Sequence, residues 1–166
     1  MNLHQVHEQR LANPVDVVEW VASNREWSFE RSGEDEIALA VTGHWADYSV
    51  SFSWLEECES LHLACAFDMK VPQARQVEVL RLLARINEQL LIGHFDLWPH
   101  EGAIMFRHSL LLSGGVQPTS EQAERLLACA LECSERYFPA FQFVVWADKS
   151  AEQAMTCAMF ETAGEA

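Results

Sequence analysis

Three successive runs of the chain repeat with a period of two, and this alternation constrains the fold more than any other feature. Ile37, Leu39 and Val41 alternate with Glu36, Ala38, Ala40 and Thr42; Tyr48, Val50, Phe52 and Trp54 with Ser49, Ser51 and Ser53; Leu61, Leu63, Cys65 and Phe67 with His62, Ala64, Ala66 and Asp68. Neighbouring side chains of a strand point to opposite faces, so each run predicts a strand with one apolar face. A shorter strand over Trp27–Arg31 precedes them, turned by Ser32-Gly33-Glu34-Asp35, and the acidic turn Glu56 to Glu59 joins the last two. Links this short connect antiparallel neighbours, so the segment reads as a meander.

The two faces of this meander are unlike. One carries large side chains suited to a core covered by helices. The other carries Ala38, Ala40, Ser49, Ser51, Ser53, Ala64 and Ala66, all small and uncharged. Such a face either lies open to water, as one-sided sheets do, or takes the close approach of another element. The second case makes it a partner or dimer surface, or the seat of the chain's own C-terminal helix.

Helices flank the strands. Asn13 as N-cap, Pro14 at the first position and Asp16 in the first turn open a helix ending near Asn24, with Val17, Val18, Trp20 and Val21 on its buried side. Pro72 opens a second, running to about Ile92, with a wide apolar arc of Val77, Val79, Leu80, Leu82, Leu83, Ile86, Leu90 and Leu91, and Gly93 as its stop. Strands over His94–Trp98 and Ala103–Leu112 follow, joined by a Pro99-His100-Glu101-Gly102 turn. Thr119 with Gln122 forms a capping box for a third helix, which buries Ala123, Leu126, Leu127, Ala130, Cys133 and Tyr137 and runs into Tyr137–Trp146, the most apolar ten residues of the chain. Pro139 within that stretch predicts a helix kinked there, although the alternation of Phe141, Phe143 and Val145 leaves a strand open beyond it. Ser150 with Gln153 caps a last helix. The expected order is α-β-β-β-β-α-β-β-α-α, an α+β fold with helices packed mainly on one face of an antiparallel sheet. Residues 1–12 read as a flexible lead-in and 13–166 as a single domain.

Composition narrows function by exclusion. Lys and Arg number 11 against 25 Asp and Glu, a net charge of −14, which repels nucleic-acid backbones and anionic membranes and favours basic or amphipathic partners. The five cysteines form no CxxC pair, the first ten residues lack the apolar segment of an export signal, and no run reaches the length of a membrane span. A cytoplasmic protein with reduced thiols is the expectation. Cys129 and Cys133, four apart, and His4 and His7, three apart, fall short of the roughly four convergent ligands of a structural zinc site. No metal or other cofactor is therefore expected. Neither a GxSxG elbow nor a glycine-rich phosphate loop is present. Trp45, Trp54, Trp98 and Trp146 read as core rather than as cofactor contacts. The densest polar cluster is His94 to Glu101 with Arg107 and His108, in which His94, His100 and His108 would serve a small-molecule sensor or an unrecognised enzyme; the plainer reading is a surface hairpin with Phe95 and Leu97 inward.

Several segments together carry a family resemblance. Asn13 to Glu19, Ala64 to Asp68, Ile86 to Leu90 through Gly93 to Trp98, Met105 to His108, the ending Met159 to Ala166 and above all Arg136-Tyr137-Phe138-Pro139-Ala140-Phe141-Gln142-Phe143-Val144-Val145-Trp146 resemble the YbjN family, designated bacterial sensory transduction regulators. Ala147-Asp148 departs from the glycines usual there, which predicts a less abrupt exit from the third helix. The resemblance implies a fold similar to type III secretion chaperones, commonly dimeric, with no catalytic residues to transfer. The resulting expectation is a non-enzymatic, cytoplasmic module that binds another polypeptide, chaperone-like or regulatory, and forms a homodimer.

Overall fold

The structure, a computed structural model, describes residues 12–163; the expected lead-in, apart from Ala12, lies outside the described residues, as do His4 and His7. The elements follow the expected order: α1 (Pro14–Asn24), β1 (Ser28–Arg31), β2 (Glu36–Thr42), β3 (Asp47–Leu55), β4 (Ser60–Lys70), α2 (Gln76–Gln89), β5 (His94–Trp98), β6 (Ala103–Leu111), α3 (Ser120–Val145) and α4 (Ala151–Ala163). Short 3₁₀ turns at Glu56–Cys58 and Gln73–Arg75 precede β4 and α2. The six strands form one sheet in the order β1-β2-β3-β4-β6-β5, with every neighbouring pair antiparallel. Because the β5–β6 hairpin joins through its second strand, β5 rather than β6 becomes the far edge. The alternation does place Ile37, Leu39, Tyr48, Val50, Phe52, Leu63, Cys65 and Phe67 in the core, and all four helices contribute to that same core.

Two helices bury less than their sequence arcs suggest. In α1 the Asn13 side chain accepts from the Val15 N–H (3.0 Å), as expected of an N-cap, and Val15, Val18, Val21 and Ala22 are buried. Trp20, expected inward, is 60% exposed, because the buried stripe of this short helix is centred on Val18 and Ala22. α2 begins only after the 3₁₀ turn and stops at Gln89, short of Ile92. It packs on β5, α3 and α4 at the margin of the sheet. Only the narrow stripe Val79, Leu82, Leu83 and Ile86 therefore meets the core, and Val77, Leu80 and Leu91 are exposed. Gly93 is not the helix stop but lies beyond it with φ +70, where a Cβ would stand 2.2 Å from the Phe106 ring.

α3 is a single helix through Val145, so the segment after Pro139 is helical rather than a strand. Its capping box forms as expected, Thr119 Oγ1 accepting from the Gln122 N–H (3.0 Å) and Gln122 Oε1 from the Thr119 N–H (2.9 Å). Pro139 costs one internal hydrogen bond, but the ring is buried among the residues the helix lays on the sheet. Phe141 meets Phe95 and Phe67 (centroids 5.3 and 5.6 Å), Phe138 meets Phe67 (5.5 Å) and Tyr137 meets Phe95 (5.9 Å). Most of these contacts are edge-on, the favoured geometry for aromatic pairs. The apolar run is thus the spine of the core. Trp54 packs against that core, whereas Trp45, Trp98 and Trp146 are exposed, the last two because they sit just where an element ends.

The exit from α3 is built without glycine. Asp148 takes φ +58, a left-handed conformation an aspartate tolerates. Arg75 holds the turn, donating to the Val144 carbonyl (2.9 Å) and the Lys149 carbonyl (2.6 Å) and pairing with Asp148 (3.2 Å). Glu78 accepts from the Ala151 N–H (3.0 Å), the first residue of α4, and this bond together with Arg81 lowers the carboxyl's pKa. The predicted Ser150–Gln153 capping box completes the start of α4.

An edge strand presents unpaired backbone groups to any passing chain, and β5 is protected by its neighbours. Asn87 on α2 acts as a strand would: its Oδ1 accepts from the Phe95 N–H (2.8 Å) and its Nδ2 donates to the Phe95 carbonyl (2.9 Å). The Leu97 N–H is taken by Asp96 Oδ1 (2.9 Å).

Candidate functional site

The seven small residues singled out in the sequence lie together on the face of the sheet turned away from the helices. Cross-strand register aligns them as two rows, Ala38–Ser51–Ala64 and Ala40–Ser49–Ala66, with Ser53 beside them opposite His62. At ordinary strand spacing each row spans roughly 10 Å. Ala40 and Ser49 are exposed and the other five half-buried. α4, one of the elements expected to lie here, packs instead on α2 and α3. The first row ends on charged residues, Glu30 on β1 at one side and Arg107 on β6 at the other, the second on Ser28 and Met105, and Glu36 and Asp68 stand on the same face.

Towards β5 the face becomes polar and basic. Arg107 donates from Nε to His62 Nε2 (3.2 Å) and from an Nη to Asp96 Oδ2 (3.0 Å), linking β4, β6 and β5. Register places His94 directly opposite Arg107. Burial, Arg107 and His94 lower the pKa of His62 below its ordinary value; burial and then His94 do the same for His108. A neutral His62 that accepts at Nε2 carries its proton on Nδ1.

The histidine triad expected from the hairpin is not assembled. His94 opens β5, but His100 lies past Trp98 in the turn at the opposite end, about 13 Å further along at the rise of a strand. His108 follows Arg107 on β6, a position that alternation alone assigns to the other face from His94, but beyond the start of β5 both residues border the same cleft. His62, which sequence reasoning left out, takes the third place. Nothing local signals this, because the pairing of β4 with β6 crosses the whole of α2 and β5.

Elsewhere, Cys129 and Cys133 are half-buried on α3, and burial with the adjacent Cys129 pushes the Cys133 thiol up to about 12. Cys65 is buried, which raises it to about 11, and Ser134 donates to its sulfur (3.6 Å). The Tyr48 hydroxyl is buried beside the Glu135 carboxylate without a hydrogen bond of ordinary geometry among the described residues; burial, then Glu135, raise its pKa.

Comparison with known proteins bears on this arrangement. The model of the YbjN family, described as "Putative bacterial sensory transduction regulator", matches residues 14–143. Among solved structures, the crystal structure of YbjN, "a putative transcription regulator from E. coli", superposes with a TM-score of 0.53 at 14% identity, covering 72% of this chain and 84% of that one. The crystal structure of the ExsC–ExsE complex gives a TM-score of 0.53 at 19% identity, covering 78% of this chain and 94% of the matched one. At these identities the likeness is one of fold. Among curated proteins the sequence has no match.

Proposed function

The chain belongs to the YbjN family, and from that premise we propose that it is a non-enzymatic, cytoplasmic polypeptide-binding protein, chaperone-like or regulatory, that receives its partner on the outer face of the sheet. The observation that carries this reading is the face itself: six small side chains in two registered rows with Ser53 beside them, on the side of the sheet opposite all four helices. Small side chains let another backbone approach closely, so a strand or helix laid there buries its own apolar residues against a flat floor. The likeness in fold to a protein crystallised as the ExsC–ExsE complex supports a partner of the same kind, another polypeptide. A net charge of −14 favours a basic or amphipathic partner and opposes nucleic acid and anionic membranes. Among the described residues no helix is long and apolar enough to cross a membrane.

Self-association belongs to the same proposal. Val77 and Leu80 on α2, 60% and 53% exposed, form an apolar strip that a second copy would cover. Light scattering is expected to give a homodimer, and a monodisperse monomer at high concentration would remove this part of the reading.

The partner surface is tested by placing arginines at its centre, Ser51→Arg with Ala64→Arg. Affinity capture from native lysate at low salt, followed by mass spectrometry, is expected to retain a polypeptide with the wild type and to lose it with the variant, whose circular dichroism stays unchanged. A folded variant that retains the same polypeptide would place the partner elsewhere, and a wild type that retains none would sink the reading.

A further inference from the structure

The polar margin of the sheet carries an inference of its own, independent of the polypeptide-binding reading. β5 begins at His94, opposite Arg107, whereas β6 runs on to Leu111. Past that point β6 has β4 on one side and no strand on the other. A cleft of about 450 Å³ opens there, with His62, His94, Arg107, His108 and Ser109 in its wall. In a chain whose carboxylates outnumber its Lys and Arg by 14, this wall contains no carboxylate among the described residues.

The wall also offers mainly hydrogen-bond donors. Of the five N–H groups of Arg107, one goes to His62 and one to Asp96 among the described residues, which leaves three. Because His62 accepts from Arg107 at Nε2, its other ring nitrogen is a donor in the neutral form. His94 and His108 each bring a ring N–H whichever tautomer they adopt, and both nitrogens donate when the ring is charged. Ser109 adds a hydroxyl. The Asp96 carboxylate is engaged by Arg107 and by the Leu97 N–H. It orients the guanidinium from β5, and it is not in the cleft wall.

We propose that this cleft is an oxyanion site, which takes the phosphate or carboxylate group of a small molecule against Arg107, His62 and His94. A guanidinium held from two sides is pre-oriented, and it matches an oxyanion's paired acceptors better than a mobile lysine would. The volume exceeds that of a lone phosphate, so the anionic group would be the anchored end of a larger ligand.

The test uses the full chain and two defined probes, inorganic phosphate and acetate, each titrated at constant ionic strength while the imidazole carbon-bound proton resonances are followed by NMR. Saturable shifts of His62 and His94 with one or both probes are expected, at least tenfold weaker in Arg107→Gln and partly restored in Arg107→Lys. Arg81→Gln, an exposed arginine on α2, leaves them unchanged. The probe that saturates distinguishes a phosphate site from a carboxylate site. Non-saturating shifts equal to those with chloride, or saturation that survives Arg107→Gln with the fold intact, overturn the proposal.

Discussion

Replacing Asn87 by alanine examines how the fold closes its sheet. The side chain makes two hydrogen bonds to Phe95, of 2.8 and 2.9 Å, one in each direction. A typical net contribution is about 1 kcal/mol per bond, and a stranded backbone group that is not rehydrated costs a further 1–3 kcal/mol. The site is part-buried, so water regains some of this, and a loss of about 2–3 kcal/mol is expected. For a chain of this size that lowers Tm by roughly 5–10 °C. Urea unfolding followed by circular dichroism measures the loss, with the slope against denaturant unchanged. Hydrogen exchange at the Phe95 amide locates it, since that proton should exchange far faster in the variant. The exposed edge should also make the variant more prone to associate. Asn87→Asp, which keeps an acceptor for the N–H but turns an oxygen towards the Phe95 carbonyl, should be no better than alanine. A loss below about 0.5 kcal/mol, or unaltered exchange at Phe95, would refute the view that Asn87 substitutes for a seventh strand.

Three further outcomes follow from single contacts. Gly93→Ala combines a left-handed φ with a Cβ overlapping the Phe106 ring, and should cost about 2 kcal/mol or more by chemical denaturation; a neutral result would mean that the loop shifts freely. Tyr48→Phe removes a buried hydroxyl without a hydrogen bond of ordinary geometry among the described residues, and should stabilise the protein by up to about 1 kcal/mol; a loss above that size would reveal a bond to Glu135. For His62 and His108 the folded pKa lies below the ordinary value, so the unfolded chain takes up protons first as pH falls. The stability they contribute is present above about pH 6.5 and is lost on acidification below it. The double variant His62→Gln with His108→Gln should therefore show a shallower fall in urea midpoint from about pH 7 to pH 5 than the wild type, and equal slopes would contradict the assignment.

The elements were legible because their signals are local. Period-two alternation identified β2, β3 and β4, and cap residues placed the starts of α1, α3 and α4 close to where they stand. Where the residues were misread, a neighbour made the difference. Val77 and Leu80 look like core on a helical wheel but face outward, because α2 lies at the margin of the sheet. Trp20 and Trp98 are large and apolar but fall outside the buried stripe or at a strand's end.

The candidate sites divide in the same way. Gathering Ala38, Ala40, Ser49, Ser51, Ser53, Ala64 and Ala66 on one face needed only alternation and short links, since antiparallel neighbours in register align their faces automatically. The polar cluster could not be read so. His62 and Arg107 lie 45 residues apart and meet because β6, not β5, pairs with β4. That choice is made by the aromatic contacts of α3 with β4 and β5 and by Asn87, which occupies the outer edge of β5. By itself the sequence determined the strands, the helices and the chemical character of each face, all consequences of residue spacing. Which strands became neighbours, and so which side chains share the basic cleft, was decided only when α3 was packed on the sheet and α2 closed its edge.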